Sequence, residues 1–153
     1  MTKFSRKNPP YWVWNAGLRQ LYCSTYHIKK SNIHYYIDAL KSYKIVYIVG
    51  YPSALYSLAR YAKGLGLKPP VIKFLLSNAE PLYEHQREVI ESFFQAPTYD
   101  SYGMAETLCA ASECEMGELH LWPEVGIFEV LDENKQPTPN GEAGRLVSTG
   151  LIN

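Results

Sequence analysis

The chain has 153 residues, which is enough for one domain with a hydrophobic core. Hydrophobic residues make up 46% and charged residues 20%, a composition that is typical of a folded globular protein and excludes extensive disorder. Fifteen Lys and Arg residues balance fifteen Asp and Glu residues, so net charge favours neither nucleic acid nor an anionic membrane as a partner.

No segment of the sequence predicts export or membrane insertion. Residues 1–10 carry charges without an apolar stretch behind them, which does not fit a secretory signal. No apolar run approaches the roughly 20 residues of a membrane span. The three cysteines, Cys23, Cys109 and Cys114, lack the spacing of a disulfide framework, so we expect a reducing, cytoplasmic location.

The first predicted element follows an aromatic-rich stretch. Residues 1–30 show no clear hydrophobic period, and we predict an irregular lead-in there. From residue 31 onward, apolar residues recur at the spacing of one helical face, which predicts a helix capped by Ser31 or Asn32. The residues on that face are Ile33, Tyr36, Ile37 and Leu40.

Alternating strand and helix patterns continue from this helix. We predict strands buried on both faces at residues 45–49 and 71–76. A helix follows the loop at residues 50–53, another begins at Pro81, and a third short strand lies near residues 98–101. This order predicts parallel strands that are joined by right-handed crossovers.

The pattern changes after Tyr102. Short strand candidates at residues 119–122, 126–131 and 145–149 are separated by turn sequences, including the Asn140-Gly141 pair that is typical of tight hairpins. We therefore predict an α/β fold in which a parallel sheet with flanking helices passes into a β-rich portion. The predicted divisions are a lead-in at 1–30, an α/β portion at 31–106 and a β-rich portion at 107–153.

Three loops follow the carboxyl ends of the predicted parallel strands, at residues 50–53, 77–80 and 101–106. Ligands of parallel α/β sheets bind in the crevice at that edge. Tyr102 offers an aromatic face, and Glu106 offers a hard oxygen ligand of the kind that Mg²⁺ takes. From the residues alone, Tyr102 also fits a core tyrosine, and Glu106 fits a carboxylate that is favoured at a helix N-terminus.

Five blocks occur in the order found in one known family. Residues 77–82 (Ser-Asn-Ala-Glu-Pro-Leu) and 100–106 (Asp-Ser-Tyr-Gly-Met-Ala-Glu) resemble two adjacent core motifs of the adenylate-forming acyl-CoA synthetase superfamily. Residues 50–55, 113–120 and 141–151 resemble its phenylacetate–CoA ligase branch, and most nearly the relatives associated with capsular polysaccharide biosynthesis. The resemblance covers roughly residues 20–153 and implies the middle of the large N-terminal domain of such a ligase.

This resemblance implies a carboxylate–CoA ligase that uses ATP, Mg²⁺, coenzyme A and a small carboxylic acid. The Tyr102 ring would stack on adenine, and the main chain of residues 78–80 would line the other edge of the base. Glu106 would be the catalytic residue and would hold Mg²⁺. The residues that the resemblance assigns to nucleotide binding are Ser77, Asn78, Ala79, Glu80, Asp100, Ser101, Tyr102, Gly103, Met104 and Ala105.

The chain also departs from the family pattern. Ala105 stands where the family usually has a hydroxyl residue that contacts the α-phosphate. The 153 residues contain neither the Ser/Thr/Gly-rich phosphate loop, nor the Arg-Tyr-x-x-Gly-Asp segment, nor the C-terminal lid domain with its lysine. Because losing one preorganised donor typically lowers the rate about 10²–10³-fold, we expect the chain to be inactive alone. The alternative is a non-catalytic remnant that binds a nucleotide or a protein, or that self-associates through exposed core faces.

A zinc site is a further implication of the resemblance. Some members of this branch carry a zinc-binding insertion near Cys114 and His120, which would make these two residues ligands. The sequence has no Cys-x-x-Cys pair here and no evident fourth ligand. Buried cysteines and an ordinary strand histidine therefore remain the favoured interpretation.

Overall fold

The computed structural model describes residues 7–106 and 108–151. The predictions for residues 1–6, for Thr107 and for residues 152–153 lie outside the described residues. The chain divides into two compact units, one ending at Thr98 and the other beginning at Tyr99, and each is described by itself. This division comes earlier in the chain than the boundary after residue 106 that the sequence predicts.

The first unit begins with a β-hairpin. Strand β1 (Trp12–Asn15) pairs antiparallel with β2 (Gln20–Cys23), and a 3-10 turn follows at Thr25–His27. The described part of the predicted irregular lead-in therefore contains regular structure. Its strands are too short to show a period, and aromatic packing fixes them instead, since the Trp14 and Tyr43 ring centroids lie 4.8 Å apart.

A small parallel sheet and three helices form the rest of this unit. In chain order they are α1 (Ile33–Ser42), β3 (Tyr47–Gly50), α2 (Pro52–Gly64), β4 (Phe74–Ser77), α3 (Glu84–Phe94) and β5 (Thr98–Tyr99). The sheet order is β3-β4-β5, and β3 runs parallel to β4 with Tyr47 opposite Phe74 and Gly50 opposite Ser77. The predicted parallel arrangement of these two strands is confirmed.

The hydrophobic core lies among the three helices and one face of the sheet. The predicted face of α1 is buried, and Leu75 of β4 is fully buried against it. Tyr36 also ties α1 to the hairpin, because its hydroxyl donates to the main-chain oxygen of Ser24 at 2.7 Å. The core residues are Tyr11, Ile33, Tyr36, Ile37, Leu40, Leu55, Leu58, Ala59, Ala62, Ile72, Leu75, Ile90, Phe93, Phe94 and Ala96.

Two helix starts differ in detail from the prediction. Asn32 occupies the N-cap position of α1, but its side-chain amide donates to the main-chain oxygen of His27 and caps nothing. Helix α3 begins at Glu84 and not at Pro81. The start is fixed by Tyr83, whose N–H donates to the Gln86 side chain at 3.2 Å. In return the Gln86 N–H donates to the Tyr83 carbonyl at 2.9 Å, which satisfies a donor that the first turn would otherwise leave unpaired.

The prediction that both parallel strands are buried on both faces is wrong. Tyr47 and Val49 of β3 are each 49% exposed, because the described helices pack on the other face, where Ile48 lies. Strand β4 begins at Phe74, and Val71 before it is 95% exposed. Ladder pairing with β3 begins only at Lys73, whose N–H donates to the main-chain oxygen of Val46.

The second unit is made of antiparallel strands. One sheet has the order β6-β7-β8, and a hairpin pairs β9 with β10. The strands are β6 (Ser101–Gly103), β7 (Ala110–Glu113), β8 (Leu119–Leu121), β9 (Gly126–Leu131) and β10 (Arg145–Gly150). The single strand predicted at 98–101 is thus divided between β5 and β6, which belong to different sheets, and β7 was not predicted.

None of the helices in the described ranges has the length and apolar character needed to cross a bilayer.

Candidate functional site

The carboxyl ends of β3 and β4 bring two of the predicted loops together. Gly50 lies opposite Ser77 at the end of the parallel ladder, and the Asn78 N–H donates to the Gly50 carbonyl at 3.2 Å. One residue into α2, the Ser53 N–H donates to a carboxylate oxygen of Glu80 at 3.2 Å. Two segments that are far apart in sequence therefore form one edge, where parallel α/β sheets bind their ligands.

Within this edge, main chain and side chains have different accessibility. The Ser77 side chain is fully buried, so its hydroxyl does not reach a ligand at the surface. Asn78 is half-buried, whereas Ala79 and Glu80 are exposed. Ala79 adopts φ 63°, a left-handed conformation that costs a residue with a Cβ about 1–2 kcal/mol. Ala79 and Glu80 are thus open to solvent, as the main-chain role that the resemblance implies requires, whereas the Asn78 N–H is already bonded within the fold.

The Glu80 carboxylate has a structural partner that the sequence does not reveal. By accepting from Ser53 it satisfies one of the unpaired N–H groups in the first turn of α2 and places negative charge at the positive end of the helix dipole. The spacing of 27 residues between the two gives no local pattern from which this bond could be predicted.

In the second unit, residues 101–106 present an aromatic ring and a carboxylate to solvent. Tyr102 lies opposite Ala111 in the β6-β7 ladder and is 45% exposed. Met104 is exposed, and Ala105 and Glu106 form an exposed turn directly after β6. A Cβ on Gly103 would lie 3.4 Å from the Cys109 carbonyl oxygen, so this glycine permits close approach of the two strands.

Asp100 and Glu113 fix the start of β6. The Asp100 N–H donates to the Glu113 carboxylate at 2.6 Å, and the Glu113 N–H donates to the Asp100 carbonyl at 2.9 Å. The Asp100 carboxylate in turn accepts from the Ser101 N–H at 2.9 Å. Asp100 and Glu113 therefore position the backbone that carries Tyr102. The only sequence indication of the Glu113 role is its place at the start of the block at 113–120.

The predicted site residues are thus divided between the two units. Residues 77–80 belong to the first unit, and Tyr102 and Glu106 belong to the second. That Tyr51, Asn78 and Tyr102 share one sheet edge stays a prediction.

The described residues offer different ligands for the two candidate metals, Zn²⁺ and Mg²⁺. In the described ranges, no three His, Cys, Asp or Glu side chains are grouped closely enough to hold a metal ion. The Cys114 N–H donates to the Glu118 carbonyl in the β7–β8 turn, His120 lies opposite Ser112 on β8, and Cys109 is buried. The zinc site therefore stays a prediction without support. Glu106 fits Mg²⁺, which proteins commonly hold through one or two carboxylates together with substrate phosphates.

The sequence of the chain is similar to that of a known protein. The chain matches no protein-family model. It is 31% identical over 127 residues to Protein CapK of Staphylococcus aureus, a match that covers 81% of this chain and 28% of that protein.

Solved structures agree with this comparison. A 2-hydroxyisobutyryl-CoA ligase in complex with 2-HIB-AMP and CoA superimposes with a TM-score of 0.66 and 26% identity, over 77% of this chain and 30% of that one. A long-chain-fatty-acid-CoA ligase from Archaeoglobus fulgidus shares the fold with a TM-score of 0.61 at 15% identity. The chain spans less than a third of the length of each of these relatives.

Proposed function

We propose that this chain, which corresponds in sequence and fold to part of an adenylate-forming acyl-CoA ligase, supplies nucleotide-binding segments to an ATP-dependent carboxylate–CoA ligase. In the first step a carboxylate oxygen attacks the α-phosphorus of ATP, which gives an acyl-adenylate and pyrophosphate. In the second step the thiol of coenzyme A attacks the acyl carbon and releases AMP. The observation that carries the proposal is the match to a ligase with an acyl-AMP and CoA bound.

In this proposal the chain's own residues bind and orient the nucleotide. The exposed Tyr102 ring provides a stacking face for adenine, and the accessible backbone of residues 78–80 provides hydrogen-bonding groups for the edge of the base. The exposed Glu106 carboxylate provides an oxygen ligand for Mg²⁺, which when bound neutralises charge on the ATP phosphates. Asp100 and Glu113 act through the backbone and position Tyr102.

Ala105 bears on how the phosphate is held. A methyl side chain cannot donate a hydrogen bond, so this turn offers the α-phosphate no hydroxyl at that position. We propose that the remaining phosphate contacts come from outside these 153 residues, which contain no Ser/Thr/Gly-rich phosphate loop. The sequence blocks resemble those of the phenylacetate–CoA ligase branch and of its relatives associated with capsular polysaccharide biosynthesis, so we propose an acid of the kind that these ligases take. The proposed location is the cytoplasm.

A second candidate function is a non-catalytic remnant that binds a partner. Its support is a group of exposed apolar side chains on and beside β3, each between 46% and 49% exposed. These residues are Val46, Tyr47, Val49 and Tyr51. An apolar patch of this kind on a soluble protein often marks an interaction surface. Self-association through it is a prediction of the same hypothesis.

Carboxylate-dependent exchange of labelled pyrophosphate into ATP separates the two functions. We expect no exchange by the 153-residue chain with any aryl, alkyl or amino acid, because the phosphate-binding groups are absent from its sequence. A longer polypeptide, in which this chain replaces the matched segment of CapK, should show exchange. Its rate should fall at least about 100-fold in Glu106→Gln, which keeps the shape of the side chain but removes the charged ligand.

The matched control is Glu115→Gln, an exposed carboxylate in the β7–β8 turn that the proposal does not use. Exchange by the short chain alone would show that the catalytic groups have been misplaced. A longer polypeptide whose exchange is indifferent to Glu106→Gln would favour the binding remnant.

A further inference from the structure

A cavity of about 600 Å³ in the first unit is lined by two strands that do not pair with each other. These strands are β2 and β3, and we call this cavity the strand slot. Buried residues of the two nearest helices also line it, namely Tyr36 and Leu40 of α1 and Leu55 and Leu58 of α2. The strand slot is therefore lined by two strands and by an apolar helical surface.

Alternate residues of β3 have peptide groups that face away from β4. The Val46 carbonyl accepts from Lys73 at 2.7 Å, so the peptide groups of Val46 face β4. Alternate residues of a strand direct their peptide groups to opposite neighbours. The N–H and C=O groups of Tyr47 and Val49 consequently face away from β4, and both residues line the strand slot.

Strand β2 also has peptide groups that face away from its partner strand. The Ser24 N–H donates to the Tyr11 carbonyl at 2.9 Å, which sets the hydrogen-bonded positions of the β1-β2 ladder. Because hydrogen-bonded and non-hydrogen-bonded pairs alternate in an antiparallel ladder, the peptide groups of Leu21 and Cys23 face away from β1. Leu21 and Cys23 also line the strand slot.

The side chains along these edges suit an apolar occupant. Tyr22, Tyr47 and Val49 are each about half exposed, and all three line the strand slot. Cys23 is exposed and lines the strand slot, yet neighbouring protein atoms desolvate its thiol. This desolvation raises the pKa of its thiol to about 11, so Cys23 carries no charge at neutral pH.

We propose that the strand slot receives one extended apolar segment of a larger ligase domain, which pairs with β2 on one side and with β3 on the other. Four residues of extended chain span about 13 Å, which matches the length of β2 and β3. The inserted segment would join the two small sheets into one continuous sheet, with the order β1, β2, inserted strand, β3, β4, β5. Donated strands bind other sheets in this way, through main-chain hydrogen bonds to open edges.

Two observations favour a polypeptide strand over other occupants. Within the described ranges, Leu21, Cys23, Tyr47 and Val49 have peptide groups that face no paired strand, and an extended backbone can bond to these groups whereas a lipid tail cannot. The fold is that of ligases of which this chain spans less than a third. The proposal rests on the chain's being part of a larger ligase domain, and it does not depend on the nucleotide site.

The alternatives are a second copy of this chain and a small amphipathic anion. The anion is a reasonable competitor because Arg19 and Lys44 also line the strand slot. Amide hydrogen exchange on the 153-residue chain separates the three occupants, since it reports each edge residue individually.

The probe is a series of short overlapping peptides covering the part of Staphylococcus aureus CapK that the 127-residue match leaves out. We expect one contiguous window of the series to slow exchange at the amides of Leu21, Cys23, Tyr47 and Val49. The amides of Ile48 and Leu75, which lie within the existing sheet, should change little. A peptide of the same composition with proline at alternate positions should fail to protect, because it lacks the donors.

Two variants locate the effect. Val49→Asp places a charge in the strand slot and should weaken binding of the protecting peptide about tenfold or more. Val71→Asp is the control, since Val71 is 95% exposed and does not line the strand slot. If Val49→Asp does not fold, Tyr22→Asp on the hairpin serves instead.

Several results would overturn the proposal. Protection of the four edge amides that rises with chain concentration, without peptide, would identify a second copy as the occupant. Equal protection by dodecanoate would identify a small-molecule site. Absence of protection by every peptide window would show that no such strand is received. None of these results bears on pyrophosphate exchange, so the nucleotide proposal is tested separately.

Discussion

At the scale of single residues, the two segments that we propose bind the nucleotide offer different kinds of contact. The carboxylate of Glu80 is engaged by the Ser53 main chain, so in our proposal the contacts of the first segment are made by main-chain groups. Tyr102 has a half-exposed ring on a strand whose start is fixed by Asp100 and Glu113. A ring on a rigid strand loses little conformational freedom on stacking, which favours adenine binding.

The residue-scale prediction concerns AMP. We expect AMP to bind weakly to the 153-residue chain, led by the adenine base, because the sequence contains no phosphate loop. Tyr102→Ala should remove measurable binding, since stacking of a base on an aromatic side chain contributes about 1–3 kcal/mol. Calorimetric titration measures the difference. Tyr26→Ala, which removes an exposed ring in the other unit, should leave the affinity unchanged. Equal affinity in Tyr102→Ala and the unmodified chain would remove the stacking role.

At the scale of elements, Gly126 shows how closely the strands of the second unit approach the preceding loop. Gly126 is buried at the start of β9, opposite Gly150 at the end of β10. A Cβ at this position would overlap the carbonyl oxygen of Leu108 and would lie 2.8 Å from that of Thr149. Both obstacles are backbone atoms, which cannot move aside as the end of a flexible side chain can.

We therefore expect Gly126→Ala to destabilise the β9-β10 hairpin by about 1–3 kcal/mol or more. Faster amide hydrogen exchange at Ile127–Val130 in the variant is the measurement, because it reports this hairpin separately from the first unit. The control is Gly64→Ala at the end of α2, where an added Cβ meets no atom within 4 Å. That change should be neutral or stabilising, since alanine favours the helix by up to about 1 kcal/mol. Unchanged exchange in Gly126→Ala would contradict the close approach.

The elements also show what periodicity can and cannot predict. The helical period at residues 33–40 predicts α1 correctly, and the alternation of apolar runs with helices predicts the parallel pairing of β3 and β4. Periodicity failed for the β1-β2 hairpin, because strands of four residues contain too few alternations to show a period. The apolar run at residues 45–49 also led to an overestimate of the burial of β3, because such a run does not show whether one face of the strand is covered or both.

For the candidate site too, the sequence predicts some features and does not predict others. The parallel topology predicts that Gly50 and Ser77 meet, which the structure confirms, whereas the nucleotide role that the family motifs assign to both segments stays a prediction. The bonds from Ser53 to Glu80 and from Asp100 to Glu113 could not be predicted, since each joins residues distant in sequence through geometry that only the folded chain provides.

At the scale of the whole molecule, burial is distributed unequally between the two units. The hydrophobic core runs from Tyr11 to Ala96 and lies entirely within the first unit. Of the buried hydrophobic residues in the described ranges, the second unit contributes Cys109 and Ala111. Because burial of apolar surface is the main favourable contribution to folding, the two units should differ greatly in stability when they are separated.

Separate production of the two units tests this difference. A polypeptide of residues 1–100, which keeps β5 whole, should unfold in one cooperative thermal transition, because it retains the complete core. Residues 99–153 should show no cooperative transition by differential scanning calorimetry, since so small a unit with so few buried side chains cannot offset the conformational entropy of folding. A cooperative transition in residues 99–153 alone, or its absence in residues 1–100, would show that burial within each unit does not determine its stability.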